Sequence, residues 1–312
     1  MENLRRAGCT AGDCPSGGWM LAAGREPTAP AILPMPCRLI INADDFGWST
    51  GVNQAVAALF DDGILTSTSL MVGAPAAAGA VDVAASRPGM AVGLHLALCD
   101  APPVLPPEEV PALVDAKGWL SRRYLLSGLR ISASRRVRGQ ARAEVRAQLR
   151  AFAETGLPLA HLDTHLHLGL VPALFRIVLE ELSEYPGRKL APVRLRIPED
   201  DFPLHLRIAP ADALRNAAHA AWFGWSCARQ RPAAQRRGFR ATRRCYGFFR
   251  SGRLDAAYLT RLIAELPEGE AELHCHPDLS TPAGRAEFDA LRSRELRNAL
   301  AARGVELWFG AV

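Results

Sequence analysis

Leu39-Ile40-Ile41-Asn42-Ala43-Asp44-Asp45-Phe46-Gly47 is the stretch on which the fold turns. A short β-branched apolar run that halts at a glycine has the signature of a buried strand. Two carboxylates at its end are costly to bury unless something offsets their charge, and a bound cation is the common offset. In α/β folds, polar residues just past the carboxyl end of a strand sit where sites are built. The segment therefore predicts a metal-dependent site whose other ligands must come from elsewhere in the chain.

Outward from this run, strand, loop and helix alternate. Strands are expected at 38–43, 66–72, 91–97, 159–163, 193–197, 271–275 and 305–309. Helices are expected at 51–62, 76–86, 138–155, 172–184, 255–265 and 285–303, with Ser49 or Thr50 capping the first and Pro172 in the first turn of the fourth. Such alternation argues for a parallel sheet covered by helices. The expected fold class is α/β, a distorted (β/α) TIM-like barrel in a single domain, with a doubly wound open sheet as the alternative. Two segments break the rhythm. Residues 101–135 are Pro-rich and then basic, and residues 200–253 form a basic, aromatic-containing insertion with no acid between Arg229 and Arg253. Residues 1–36, rich in Gly, Pro and Ala, are expected to be a disordered tail ahead of a barrel over 37–312, with Met35 as a candidate natural start.

Bulk properties narrow the class. Of the 312 residues 49% are hydrophobic, which excludes a disordered chain. The net charge of +5 permits an anionic partner but demands none. The cations are overwhelmingly Arg, with only Lys117 and Lys189 as lysines. Seven scattered cysteines without a CxxC pair argue against a disulfide framework or zinc knuckle, so a cytoplasmic location is expected. No apolar run reaches the roughly 18 residues of a membrane span.

The chemistry-bearing residues gather at strand ends. After Asp44 and Asp45 come His95 in Gly93-Leu94-His95-Leu96, then His161-Leu162-Asp163-Thr164-His165-Leu166-His167, Arg194 and Arg196, and Glu272-Leu273-His274-Cys275-His276. A lone His in an apolar strand is ordinarily a satisfied core residue. The joint pattern is harder to dismiss, because six of the eight histidines lie at three strand ends. In His161–His167 the polar residues recur at every second position, so an extended chain would put them on one face. Two histidines and one carboxylate with open positions suit a divalent metal, Mg2+ or Zn2+. A second carboxylate could then act as general base for a metal-activated water, and His276, from across the barrel mouth, as the acid. This set describes metal-assisted hydrolysis of an amide or ester.

Asn42-Ala43-Asp44-Asp45-Phe46-Gly47, Thr66-Ser67-Thr68-Ser69-Leu70-Met71-Val72, Gly93-Leu94-His95, His161-Leu162-Asp163-Thr164-His165-Leu166-His167 and His276-Pro277 together resemble the YdjC-like carbohydrate deacetylases. The motifs occur in family order over nearly everything from Arg38 to Val312. The resemblance implies a distorted (β/α) barrel, one divalent metal ion and hydrolysis of an N-acetyl group from an acetylated amino sugar. It assigns Asp45, His95 and His165 as metal ligands and Asp44 as base. Arg196 (or Arg194 in its place) orients the base, His276 serves as acid, and Asp163 and His167 support the ligands or the substrate. Asp278 departs from the glycine that family members often carry there.

The arrangement beyond Arg196 is similar to the hopanoid-biosynthesis-associated branch, which implies deacetylation of an N-acetylglucosaminyl hopanoid. Arg clusters with interspersed Trp and Phe suit an anionic bilayer interface, so residues 200–253 are expected to form a lid in peripheral contact with the inner membrane face. Three other functions stay open: a chitooligosaccharide deacetylase, a metal-dependent phosphoesterase, and an Arg-rich nucleic-acid-binding protein. The phosphoesterase lacks a phosphate-binding Gly loop. The nucleic-acid reading lacks any recognition motif, so no nucleic acid is expected as partner. Assembly into a homo-oligomer is left open.

Overall fold

In β1 (Cys37–Phe46) alternate residues have opposite fates. Leu39, Ile41 and Ala43 are fully buried in the main hydrophobic cluster with Ala55, Val56 and Leu59 of helix α1 (Thr50–Asp61). Asn42 and Asp44 are equally buried but belong to a polar network on the other face. The computed structural model describes residues 36–185 and 193–308. The expected tail up to residue 35, including Met35, lies outside the described residues.

The chain continues through β2 (Ser67–Leu70), α2 (Ala77–Ala85), β3 (Ala91–Leu96), α3 (Tyr124–Ala133), α4 (Arg135–Glu154), β4 (His161–Thr164), α5 (Pro172–Ser183) and β5 (Arg194–Leu195). It then forms α6 (Phe202–Ile208), α7 (Ala213–Arg236), β6 (Arg240–Ala241), β7 (Cys245–Tyr246), α8 (Ala256–Glu265), β8 (Gly269–Cys275), α9 (Pro282–Arg292), α10 (Arg294–Arg303) and β9 (Glu306–Leu307). Eight strands run in the order β6-β5-β4-β3-β2-β1-β8-β7, and β9 adds beside the start of β1. All ladders are parallel, and the sheet curls into an incomplete barrel whose edges are β6 and β7.

The α/β barrel expected from the sequence is what forms, but several elements differ in detail. β1 runs past residue 43 to include both aspartates. The segment 285–303 is two helices rather than one, because Ser293 takes extended backbone angles and its Oγ caps α10 by accepting from Leu296 N. The arrhythmic 101–135 ends in α3, an unexpected helix. The segment 200–253 contains α6 and the 24-residue α7, and its last part supplies β6 and β7 to the sheet. Strands of two residues carry too little periodicity to be read from sequence.

The barrel interior is polar where such barrels are usually aliphatic. Ser67 and Ser69 from β2, His95 from β3, His161 and Asp163 from β4, Arg196 after β5 and Glu272 and His274 from β8 are all buried there. Register sets these residues side by side: Asn42 faces both Ser67 and His274, Ser69 faces Gly93, and His95 faces Asp163. Gly93 has no side chain because the His161 ring occupies its place, and a Cβ there would stand 2.3 Å from Nε2.

Candidate active site

Asp44 and Asp45 are neighbours in a strand, so regular alternation would send their side chains to opposite faces. A bulge prevents this. The register of β1 against β2 shifts between Ala43 and Phe46, and Asp45 takes a left-handed φ of 61°. Asp tolerates that region better than most residues, and such irregularities re-aim side chains beside active sites. Both carboxylates thus reach the same cleft.

Three atoms converge beside Asp45. Its Oδ1 lies 3.2 Å from His95 Nε2 and 3.0 Å from His165 Nδ1, and the two ring nitrogens are 3.2 Å apart. Bond lengths of about 2.1 Å to a divalent cation would require ligand separations of roughly 3.0–3.4 Å, so the triangle fits a metal. Asp45 Oδ1 is buried yet makes no well-directed hydrogen bond, as expected of an atom kept for another partner. The field agrees. Burial opposes a charge on His95, but Asp163 and Asp45 outweigh it and hold its pKa well above the ordinary value. Positive charge is drawn to this spot.

The candidate ligands are braced from behind. Asp163 Oδ1 lies 2.6 Å from His95 Nδ1, the carboxylate–imidazole pairing that fixes a ligand's ring and tautomer. Asp163 Oδ2 accepts from the Ser69 hydroxyl at 2.7 Å and pairs with Arg196 Nη1 at 2.8 Å. His161 Nε2 lies 2.9 Å from Ser69 Oγ, and burial keeps the His161 pKa low, so the ring is neutral.

Asp44 is held separately. Its Oδ1 accepts from Asn42 Nδ2 at 2.8 Å and its Oδ2 from Arg196 Nη1 at 2.7 Å. Burial disfavours the ionised carboxyl, but Arg196, with His95, His274 and His276, overrides it and keeps the pKa far below the usual range. Arg196 Nε donates to Glu272 Oε1 at 2.5 Å, and Glu272 Oε2 accepts from Thr242 Oγ1 at 3.1 Å. Arg196 therefore spans the interior from β5 to β8. Arg194 does not reach Asp44; it pairs with Glu270 at 3.6 Å and lies over the Trp308 ring.

His276 Nε2 lies 3.9 Å from Asp44 Oδ2. It does not come from across the mouth: it follows β8, the hydrogen-bonded neighbour of β1. Its backbone N–H donates to Glu287 at 2.7 Å, and Ser251 Oγ is 3.5 Å from its Nδ1.

The row expected through His167 breaks. β4 ends at Thr164, and residues 165–170 form a tight turn with Leu166 and His167 at left-handed φ of 51° and 53°. Tertiary bonds hold the turn: Ser226 Oγ donates to Leu170 O and Gln230 Nε2 to Gly169 O, both from α7. His167 swings away from the ligands into rings of Phe223, Phe248 and His274, where burial drives its pKa down to about 3 and leaves it neutral. Asp278 stays out of the site; its Oδ1 accepts from Ser280 N and Oγ in a surface turn.

The cleft above these groups encloses about 710 Å³. It is lined both by Asp44, Asp45, His95, His165 and His276 and by the apolar Leu125, Leu129, Leu166, Trp222, Phe223 and Phe248. Sequence reading passed over Thr242 and gave no role to Glu272, Asn42 or Ser69, although it quoted the segments that carry them. The alternation of Ser67 and Ser69 within Thr66–Leu70 was the one available signal, since hydroxyls at every second position of a buried strand need partners.

A family profile described as YdjC-like protein matches residues 38–302. A carbohydrate deacetylase of Brevibacillus brevis is 39% identical over 150 residues, which is 47% of this chain and 56% of that protein. One of Geobacillus stearothermophilus is 38% identical over 165 residues, 53% and 63% of the two chains. The matched region thus spans little more than half the length of these curated relatives. An Enterococcus faecalis V583 protein described as a candidate cellobiose-phosphate cleavage protein superposes with a TM-score of 0.65 over 88% of this chain and 97% of that one. Its 22% identity speaks for a shared fold.

Proposed function

The chain belongs to the YdjC-like family, and from that membership and the geometry of its cleft we propose that it is a metal-dependent deacetylase of acetylated amino sugars. The observation that carries this reading is the Asp45–His95–His165 triangle set beside a separately pinned Asp44. The names of its relatives support the substrate class.

A divalent cation held by Asp45, His95 and His165 would supply Lewis-acid polarisation of the acetyl carbonyl and acidify the attacking water. Asp44, kept ionised and aimed by Arg196 and Asn42, takes the proton of that water. His276, on the flank of Asp44, gives a proton to the departing amine. Asp163 holds His95 in one orientation throughout. The products are acetate and the free amino sugar. His167, neutral and packed among aromatic rings, borders the space for the sugar.

Within this class, our reading is that the sugar is the N-acetylglucosaminyl head group of a hopanoid. The support is the apolar part of the cleft lining, which a soluble oligosaccharide would leave wetted and a polycyclic lipid would cover. The five described cysteines are free and buried, in keeping with a reducing compartment, and a cytoplasmic location is part of the reading.

The test is mass spectrometry after incubating metal-loaded enzyme with N-acetylglucosaminyl hopanoid and, separately, diacetylchitobiose. Loss of one acetyl group from the hopanoid alone is expected. Loss from the chitobiose alone would replace the lipid reading with the soluble-sugar one, and loss from neither would overturn the deacetylase assignment.

A further inference from the structure

The cleft mouth is bordered by apolar side chains that the fold leaves uncovered. On α3, Leu125 is 75% and Leu129 65% exposed. In the same cleft lining, Leu166 on the tight turn is 45% and Trp222 on α7 47% exposed. Trp222 stacks on Trp225, and Arg229 lies over the Trp225 ring at 4.2 Å. Clustered exposed leucines and tryptophans of this kind mark a binding surface rather than ordinary solvent-facing residues.

The segments that carry α3 and α7 bear charge of a single sign. From Ala116 to Ala143, around α3, the sequence has no acid, and none occurs from Ala213 to Leu254, which contains α7. A groove of about 400 Å³ continues from the crest through Trp225 and Pro172, with Arg176, Arg229, Arg236 and Arg237 on its walls and no carboxylate. Arg176, Arg229 and Arg236 have no carboxylate partner among the described residues.

We propose that this face docks on an anionic phospholipid bilayer, with Leu125, Leu129, Leu166 and Trp222 entering the interface and Arg176, Arg229 and Arg236 reaching the headgroups. Neither signal alone gives stable peripheral attachment, and here an apolar crest and a cationic collar adjoin. No described helix is long and apolar enough to cross a membrane, so the contact is peripheral. Docking in this orientation opens the cleft towards the lipid. The surface is not residues 200–253 alone: its most exposed leucines are on α3, outside that segment. The charge complementarity selects a bilayer over a second copy of this chain, since two such faces would oppose Arg to Arg.

The test is flotation of the full chain, without substrate, on vesicles of phosphatidylcholine alone and of phosphatidylcholine mixed with anionic phosphatidylglycerol. Flotation with the anionic vesicles only, weakened by salt, is expected. Leu125→Glu with Leu129→Glu should lower vesicle partitioning at least tenfold at an unchanged melting temperature, and Arg229→Glu with Arg236→Glu should lower it comparably. Quenching of wild-type tryptophan fluorescence by brominated lipid reads the same insertion should the variants misfold. Failure of the wild type to float or to be quenched would overturn the proposal, as would full binding by the leucine variant. So would a dimer abolished by the same leucine changes. Because binding is read without turnover, its failure would leave the deacetylase chemistry untouched.

Discussion

At the scale of single residues, the site separates two carboxylates that the sequence makes adjacent. Asp45, turned by its left-handed backbone, joins His95 and His165, while Asp44, without that turn, meets Arg196. Asp44→Asn should keep the metal by elemental analysis and lower kcat by about 100- to 10,000-fold, the usual range for losing a general base. Near-normal turnover would remove Asp44 from that role. Glu272 acts at one remove, since it touches Arg196 and Thr242 rather than the cleft. Glu272→Gln keeps the shape but weakens the hold on the guanidinium. The expected result is a fall in kcat of about tenfold with KM little changed, as for other supporting partners of catalytic groups. A KM effect alone would reassign Glu272 to substrate binding.

At the scale of elements, the ligand-bearing turns are held by helices packed outside the sheet. α4 and α5 are clamped by Glu181, which accepts from Arg142 and from both Arg146 Nε and Nη2 at 2.8–3.1 Å. Burial raises the Glu181 pKa, but the two arginines outweigh burial and set it below its ordinary 4.5. A depressed folded pKa means that the clamp stabilises fully above pH about 4.5 and fades as pH falls through the lower folded value. Glu181→Gln should cost roughly 1–2 kcal/mol near neutrality, in the range for hydrogen bonds to charged groups. The melting-temperature gap to wild type should narrow on acidification below 4.5. A gap independent of pH would show that packing, not charge, is lost. α7 holds the other turn through Ser226 and Gln230, and that dependence was hidden in a segment that reads as an Arg-rich interruption.

At the scale of the whole molecule, the barrel is built around charge. Asp44, Asp163 and Glu272 pair with one guanidinium, Arg196, and Asp45 stands against His95 and His165, so four carboxylates share one permanent cation. A divalent ion would offset much of that excess. Zn2+ or Mg2+ at about 100 times Kd should therefore stabilise the fold by about 2.7 kcal/mol. That corresponds to a melting-temperature rise of roughly 4–5 °C for a chain of this size. His165→Ala should abolish the rise; an equal rise in that variant would place the metal elsewhere. The sequence by itself determined the parallel α/β architecture and singled out Asp44, Asp45, His95, His165, Arg196 and His276 as strand-end candidates, which the fold brings together, because strand periodicity and strand-end polarity are local patterns. It could not show that Asp45 leaves the strand geometry, that His167 turns away from His95 and His165, or that Glu272 and Thr242 hold the Arg196 that pairs with Asp44. Nor could it place α3 and α7 in the lining of one cleft. Those outcomes depend on register and on contacts between residues tens to hundreds of positions apart, where local pattern carries no information and only the closed sheet brings the partners within reach.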